Sequence, residues 1–326
     1  MESLIAMWQY HQPAPSQFSR NEVPEPTDDC LEPGEVLVRL NAGAICGSDI
    51  PKFLGYHDSD NPDTGLPGAP LHEIVGTVIA SRDPGLGEGR RVVGIAKGSR
   101  GLSEVIRNPG HFLFPVDDRL NDVEATVVQP ASTVLSTMSH AGDLKGKRIA
   151  VFGLGPLGLL FTHVVKSLGA ADVIGIDRVD RSDVAAQFGI DRLVQGEVRE
   201  WARACSVKEA PDMVIEAIGH RQEHLADAVD AVRDEGRIII FGLPEDHYVF
   251  PMRRFFRKNL TLWAGTTRDW QTFLRQGQEY LIDHPGLCDA YVTNVYPIGR
   301  IEEAFRLYSV PRAGRIKVVL VPPKSA

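Results

Sequence analysis

Two short stretches hold side chains that can do metal chemistry. Cys46-Gly47-Ser48-Asp49 reads as a glycine-flanked loop after a strand, and His72-Glu73 stands just before another strand at Ile74 to Ala80. Thiolate, imidazole and carboxylate are the donors zinc takes where one position stays open for water or substrate. Each residue also has an ordinary reading. An isolated cysteine is commonly a small buried side chain, a histidine a satisfied polar group, and a His-Glu pair a strand edge. Spacing across loops hardly constrains ligands, so the residues alone leave both readings open.

A third stretch, KRIAVFGLGPLGLLFTHVVKSLGAADVIGID from Lys147 to Asp177, is built for a dinucleotide. Arg148 to Gly153 is a short apolar run, read as a buried parallel strand. Gly153, Gly155 and Gly158 then spell G-x-G-x-x-G. The first makes a tight turn, the second lets backbone approach a pyrophosphate, and the third lets helix pack on strand. Pro156 and Leu157 open the helix, where proline is tolerated because the first-turn N–H has no intrahelical acceptor. That helix end offers free N–H groups to phosphate. Asp177 closes the second strand about 20 residues past the last glycine, where a carboxylate accepts both hydroxyls of an adenosine ribose. These residues predict an NAD site. Arg178 and Arg181 leave NADP open, since arginines there can hold a 2′-phosphate.

The elements around these stretches divide the chain. Up to about residue 120 the sequence shows short alternating runs, such as EVLVRL at Glu35 to Leu40, between many glycines and prolines. This predicts an irregular, barrel-like β domain. From Asp122 to His140 the sequence turns helical. Strands and helices then alternate: a helix at Asp183 to Gly189, strands at Arg192 to Val194 and Pro211 to Ile215, a helix at Gln222 to Arg233, strands at Gly236 to Gly242 and Leu260 to Ala264, and a helix at Gln271 to Ile282. That alternation predicts an α/β, doubly wound parallel sheet. The last segment, extended at Tyr291 to Tyr296 and Ile316 to Val321, is too small to fold alone and returns to the first domain. The expected domains are thus 1–131 with 290–326, and 132–289.

Bulk properties narrow the partners. The chain has 326 residues, enough for two cores, and a net charge of −8 that argues against nucleic acid. No apolar run approaches the roughly 20 residues that span a bilayer, and the N-terminal residues lack a secretory pattern. Cysteines 30, 46, 205 and 288 form no disulfide framework, so a cytoplasmic setting is expected.

The order of these parts, with A-I-C-G-S-D, L-H-E-I-V-G-T-V, Gly89-Arg90-Arg91-Val92-Val93 and Gly101-Leu102-Ser103-Glu104-Val105, resembles the medium-chain dehydrogenase/reductase family over nearly the whole chain. The resemblance is to its zinc-dependent alcohol and polyol dehydrogenases, of sorbitol, glucose and threonine dehydrogenase type. It implies a GroES-like β-barrel catalytic domain beside a Rossmann domain. It also implies reversible hydride transfer between NAD(H) and a secondary alcohol or ketone, here a polyol, sugar or cyclitol. Cys46 and His72 match catalytic-zinc ligands, Glu73 a ligand or a residue behind one, Ser48 the proton-shuttling hydroxyl, and Asp49 the acid that orients the histidine. Gln129 stands where relatives have a further ligand, glutamate in many polyol dehydrogenases and glutamine in some glucose dehydrogenases. Lys317, with Arg315, lies where relatives place a cation near the cofactor pyrophosphate; a surface pair is the alternative reading.

Three departures qualify the resemblance. The lobe with four clustered cysteines is missing, which implies one catalytic zinc and no structural zinc. Gln129 is a neutral and weaker ligand, so direct binding by Glu73 is one way to compensate. Pro51 replaces a relay histidine, and His57 is a substitute only by proximity in sequence. Relatives also pair the sheet edge near Trp263 across a two-fold axis, which implies a homodimer or homotetramer. Two rival readings remain: a zinc-free reductase of the same family, and a non-catalytic cofactor-binding regulator.

Overall fold

A computed structural model describes residues 5–56, 65–219 and 223–323; His57 lies outside them. In chain order the strands are β1 (Ala6–Ala14), β2 (Gln17–Pro24), β3 (Glu35–Ala44), β4 (Glu73–Ser81), β5 (Arg91–Ile95), β6 (Val105–Pro109), β7 (Leu113–Pro115), β8 (Arg148–Phe152), β9 (Asp172–Asp177), β10 (Arg192–Gln195), β11 (Met213–Glu216), β12 (Arg237–Ile240), β13 (Thr261–Ala264), β14 (Val292–Pro297) and β15 (Lys317–Val321). The α-helices are α1 (Asp49–Phe53), α2 (Asp122–Ala125), α3 (Val128–Met138), α4 (Pro156–Ser167), α5 (Val198–Ala204), α6 (Glu223–Ala231), α7 (Met252–Arg257), α8 (Trp270–Asp283), α9 (Leu287–Tyr291) and α10 (Ile301–Ser309). The chain forms two compact units. Unit one holds Met1–Ser132, Asp269–Val310 and Arg315–Ala326; unit two holds Thr133–Arg268 and Pro311–Gly314.

Unit one is the irregular β domain. Its sheet runs β14-β15-β3-β4-β5-β7, with β6 also paired to β3. β3 is its spine. Register shifts at Leu37/Val38 and at Leu40/Ala42 bend it against β4, as bulges do. Alternate β3 residues Val36, Val38 and Leu40 enter the main core, where they meet Ile74, Val92 and Leu320. The β1–β2 hairpin covers one side of this core. Its Phe18 stacks on Phe53 at 5.6 Å, and both rings touch Phe305 of α10. The hairpin also holds the end of α1, because Gln12 Nε2 and the Ser16 N–H donate to the Phe53 carbonyl at 2.6 and 2.7 Å.

Unit two carries a parallel sheet in the order β10-β9-β8-β11-β12-β13. This is the doubly wound order of the expected Rossmann domain, with the connection reversing between β8 and β11. Ligands of such sheets bind outside the strand carboxyl ends at that reversal. The inner strands β8, β9 and β11 are short and buried, and on one face Val214, Ile238 and Ala150 pack with Leu225 and Val229.

The structure differs from the expected elements at three points. Residues 183–189 form hydrogen-bonded turns instead of a helix: the Arg181 carbonyl accepts from Val184 and Ala185, and Gly189 ends the segment at φ +69°. Arg181 is buried at the start of this segment, so the chain is anchored inward where a helix would begin. α5 had no visible period, because only Val198 and Ala202 of its seven residues are buried. The second unit boundary falls at 269, so α8 belongs to unit one. Gln271 Nε2 donates to the Leu113 carbonyl at 2.6 Å and Gln278 Oε1 accepts from the Asp117 N–H at 2.8 Å, which binds α8 to the β domain. Among the described residues no helix is long and apolar enough to cross a membrane.

Candidate active site

The site in unit one begins where β3 ends. The chain turns at Cys46-Gly47, and the Asp49 and Ile50 N–H groups donate back to the Cys46 and Gly47 carbonyls. α1 follows at once. Asp49 is fully buried on its inner side. Its Oδ2 accepts from the Cys46 N–H at 2.9 Å, and its Oδ1 lies 3.0 Å from His72 Nδ1. One carboxylate therefore fixes both the cysteine turn and the imidazole ring. With Nδ1 held, Nε2 is the nitrogen left to ligate a metal.

His72 and Glu73 are neighbours, and neighbours in a regular strand face opposite ways. His72 lies just outside β4, with its carbonyl accepting from the Ala96 N–H at 2.8 Å. That irregular backbone lets both donors converge. Ligand atoms of Cys46, His72 and Glu73 all lie within 4.8 Å of one another. The negative groups around His72 act on its ring. Burial pushes the His72 pKa down, but the Asp49 and Cys46 charges outweigh it and hold the ring well above its ordinary value. Burial likewise works to raise Asp49, and His72 with the Cys46 N–H keeps it lowered. A thiolate, an oriented imidazole and a carboxylate suit zinc.

Lys317 and Arg315 do not fit the surface-pair reading: they are 1% and 5% exposed. Lys317 Nζ sits 2.7 Å from Glu73 Oε1 and 2.6 Å from Oε2. Its charge faces that carboxylate inside unit one. Sheet register explains the pair. Ala44 of β3 lies opposite both Glu73 of β4 and Val319 of β15, so Lys317, two residues before Val319, shares that face. Ala44 is too small to separate them. Arg315 instead stacks its guanidinium over Tyr308 at 4.7 Å. Burial first, and the Glu73 and Cys46 charges after it, raise the Tyr291 and Tyr308 phenols well above their ordinary values, so both stay neutral. This buried layer was missed; a lysine opening the otherwise apolar run KVVLV was the available signal.

The other expected residues fall as follows. Gln129 is buried in the first turn of α3. Ser48 caps the start of α1, with helical φ −72° and ψ −15°. In unit two Gly153 has φ +84°, and a Cβ on Gly158 would meet the Gly153 carbonyl at 1.8 Å, so both positions demand glycine. Gly155 starts α4 with open space beside it, since an added Cβ meets nothing within 4 Å. Pro156 and Leu157 form the first turn. Asp177 ends β9, where Oδ2 accepts from the Leu154 N–H at 2.5 Å and Oδ1 from the Val179 N–H at 2.8 Å. The acid is thus tied to the glycine loop itself. Arg178 turns toward Glu197 at 3.9 Å, and the buried Arg181 donates to the Arg312 carbonyl.

Comparison with known proteins gives the family. The family profile described as zinc-binding dehydrogenase matches residues 156–279, and that of the alcohol dehydrogenase GroES-like domain matches residues 32–115. The chain belongs to the zinc-type, medium-chain alcohol dehydrogenase family. It is an oxidoreductase of that family by both profiles. Among curated relatives, D-xylulose reductase of Saccharomyces cerevisiae is 24% identical, with 90% of this chain and 92% of that protein covered. L-idonate 5-dehydrogenase of Escherichia coli is 26% identical, over 87% of this chain and 91% of its own length. An E. coli alcohol dehydrogenase solved with NADH shares the fold at a TM-score of 0.82 and 22% identity, covering 97% of this chain and 99% of that one.

The buried pair predicts a measurable instability. Lys317→Met leaves Glu73 charged and unpaired in the interior, which should cost about 3–5 kcal/mol of unfolding free energy. Adding Glu73→Gln to that variant should recover most of the loss. Urea unfolding of the two variants checks this, and equal loss in both would show that the pair is not the cause.

Proposed function

We propose that this chain is a zinc-dependent, NAD-linked dehydrogenase of secondary alcohols, acting on a polyol, sugar or cyclitol. The observation that carries the reading is the convergence of Cys46, His72 and Glu73 with Asp49 fixed behind the imidazole. Cys46 and His72 would hold the metal, with Gln129 and Glu73 as oxygen donors and one position for substrate. Bound zinc supplies a Lewis acid for the substrate oxygen, and NAD the hydride acceptor. Ser48, two residues from Cys46, accepts the proton of the substrate hydroxyl. Pro51 cannot extend a relay, so that proton leaves to water or the cofactor ribose. Asp49 keeps His72 in one tautomer and orientation throughout.

The same reading assigns Gly153, Gly155, Pro156, Leu157 and Gly158 to the pyrophosphate and Asp177 to the ribose, with Arg178 at the rim. NAD is favoured over NADP because a 2′-phosphate would meet the Asp177 carboxylate, while Arg181 is buried on a backbone carbonyl. We also place a second copy along β13. This strand ends the sheet, all four of its residues are exposed, and Phe256 nearby is 81% exposed. Open strand edges of this kind take a partner. The four cysteines are free, as a reducing cytoplasm requires.

Three measurements test these assignments. Elemental analysis should find one zinc per chain and almost none in Cys46→Ala; two zincs, or full activity with none, would overturn the assignment. Asp177→Ala should weaken NAD about 10- to 100-fold, the worth of charge-assisted hydrogen bonds, with little effect on NADP. Equal loss for both cofactors would remove Asp177 from the ribose. Light scattering should return at least a dimer, and a monomer would leave β13 without its assigned partner.

A further inference from the structure

The dehydrogenase reading leaves one charged side chain of the site unexplained. Ser48 has helical dihedrals, and the turn bonds of this helix already start at Cys46. Helical geometry therefore relates Ser48 to Lys52. Residues four apart on a helix lie on one face with Cβ atoms about 5–6 Å apart. Asp49 and Phe53, also four apart, form the buried face of α1. Ser48 and Lys52 form the half-buried flank beside it.

The cations of unit one differ in their partners: some, such as Arg82 and Arg100, donate to backbone carbonyls. Arg39, Arg91 and Arg107 each hold a carboxylate. Among the described residues no carboxylate pairs with Lys52. Its Nζ donates to the Ser99 hydroxyl at 2.9 Å. Ser99 belongs to the loop clamped onto the histidine segment: its carbonyl accepts from the Leu71 N–H, and Ala96 donates to the His72 carbonyl. The ammonium thus rests on a neutral group beside the strand that delivers His72. The acid nearest in sequence, Asp49, is buried and committed to His72 and Cys46. Ordering a lysine costs rotamer freedom, and a single hydroxyl is a weak return for a full charge in a chain of net charge −8. A carboxylate or phosphate would be the strong partner.

We infer that the substrate carries an anionic group, carboxylate or phosphate, a few carbons from its carbinol, and that Lys52 binds that group while Ser48 takes the hydroxyl. The inference rests on the dehydrogenase reading above. It narrows the substrate to a hydroxy acid or a phosphorylated polyol.

The test uses the zinc-loaded enzyme with NADH for binding and with NAD for turnover. The probes are C4 to C6 polyols, their terminal phosphates and the matching aldonates. At least one anionic series should bind about tenfold or more tightly than its neutral counterparts, the range of one charge-assisted hydrogen bond. Lys52→Gln should bring that ratio to about one, and Lys52→Arg should keep most of it. The unfolding midpoint of each variant separates lost recognition from lost structure. Preference for aldonates alone selects the carboxylate, and for phosphates alone the phosphate. Equal affinity for neutral and anionic probes, binding of none, or a preference that survives in Lys52→Gln would overturn the inference. If neutral polyols turn over without any anion preference, the inference falls and the dehydrogenase reading stands. If an anion binds through Lys52 but no probe is oxidised, recognition by Lys52 stands and the dehydrogenase reading is the part that fails.

Discussion

One buried carboxylate organises the site. Asp49 accepts from the Cys46 backbone with one oxygen and meets His72 with the other. A carboxylate with no exposure is expensive unless its lone pairs are used. Here the use it finds is structural: it closes the turn that carries the thiol and locks the ring that arrives from another part of the chain. α1 exists to hold that side chain inward. The hairpin β1–β2, Phe305 and the Phe53 carbonyl contacts then keep α1 in place. The aromatic packing of unit one and the geometry of its donors are therefore a single arrangement.

The second constraint is charge. Cys46 and Glu73 would bring two negative charges to a buried place, and Gln129 adds none. Lys317 offsets Glu73 at contact distance. A metal held there would face a thiolate and a carboxylate already half satisfied by an ammonium. This favours retained Lewis acidity over maximal affinity, because less negative charge is donated to the ion. The two buried phenols, Tyr291 and Tyr308, stay protonated and add no further charge.

Much of this was legible in the sequence where it depends on local pattern. The β8–α4–β9 unit announces itself because a buried run, three spaced glycines and a terminal acid are all within reach of one another. Cys46, His72 and Asp49 were legible through the resemblance, although no spacing rule joins residues on separate loops. The Glu73–Lys317 pair was not, because the partners are 244 positions apart and only sheet register brings them together. α8, expected with the second domain, groups with unit one for a related reason. Its apolar face reads the same whichever core receives it, and two glutamine contacts to β-domain backbone decide the matter. The turn at 183–189 resembled a helix in composition, while the inward anchoring of Arg181 could not be seen.

The threading of unit one sets an order of events during synthesis. β15 lies between β14 and β3 in the sheet, yet it follows both of them in the chain and comes after unit two. Until residue 317 emerges, the Gly43–Ala44 end of β3 lacks its β15 partner and Glu73 lacks Lys317. Unit two, apart from a four-residue loop, is contiguous and complete well before that moment. The nascent chain therefore acquires its nucleotide-type sheet first. The Glu73 carboxylate gains its counter-charge only later, once the distant Lys317 has been made.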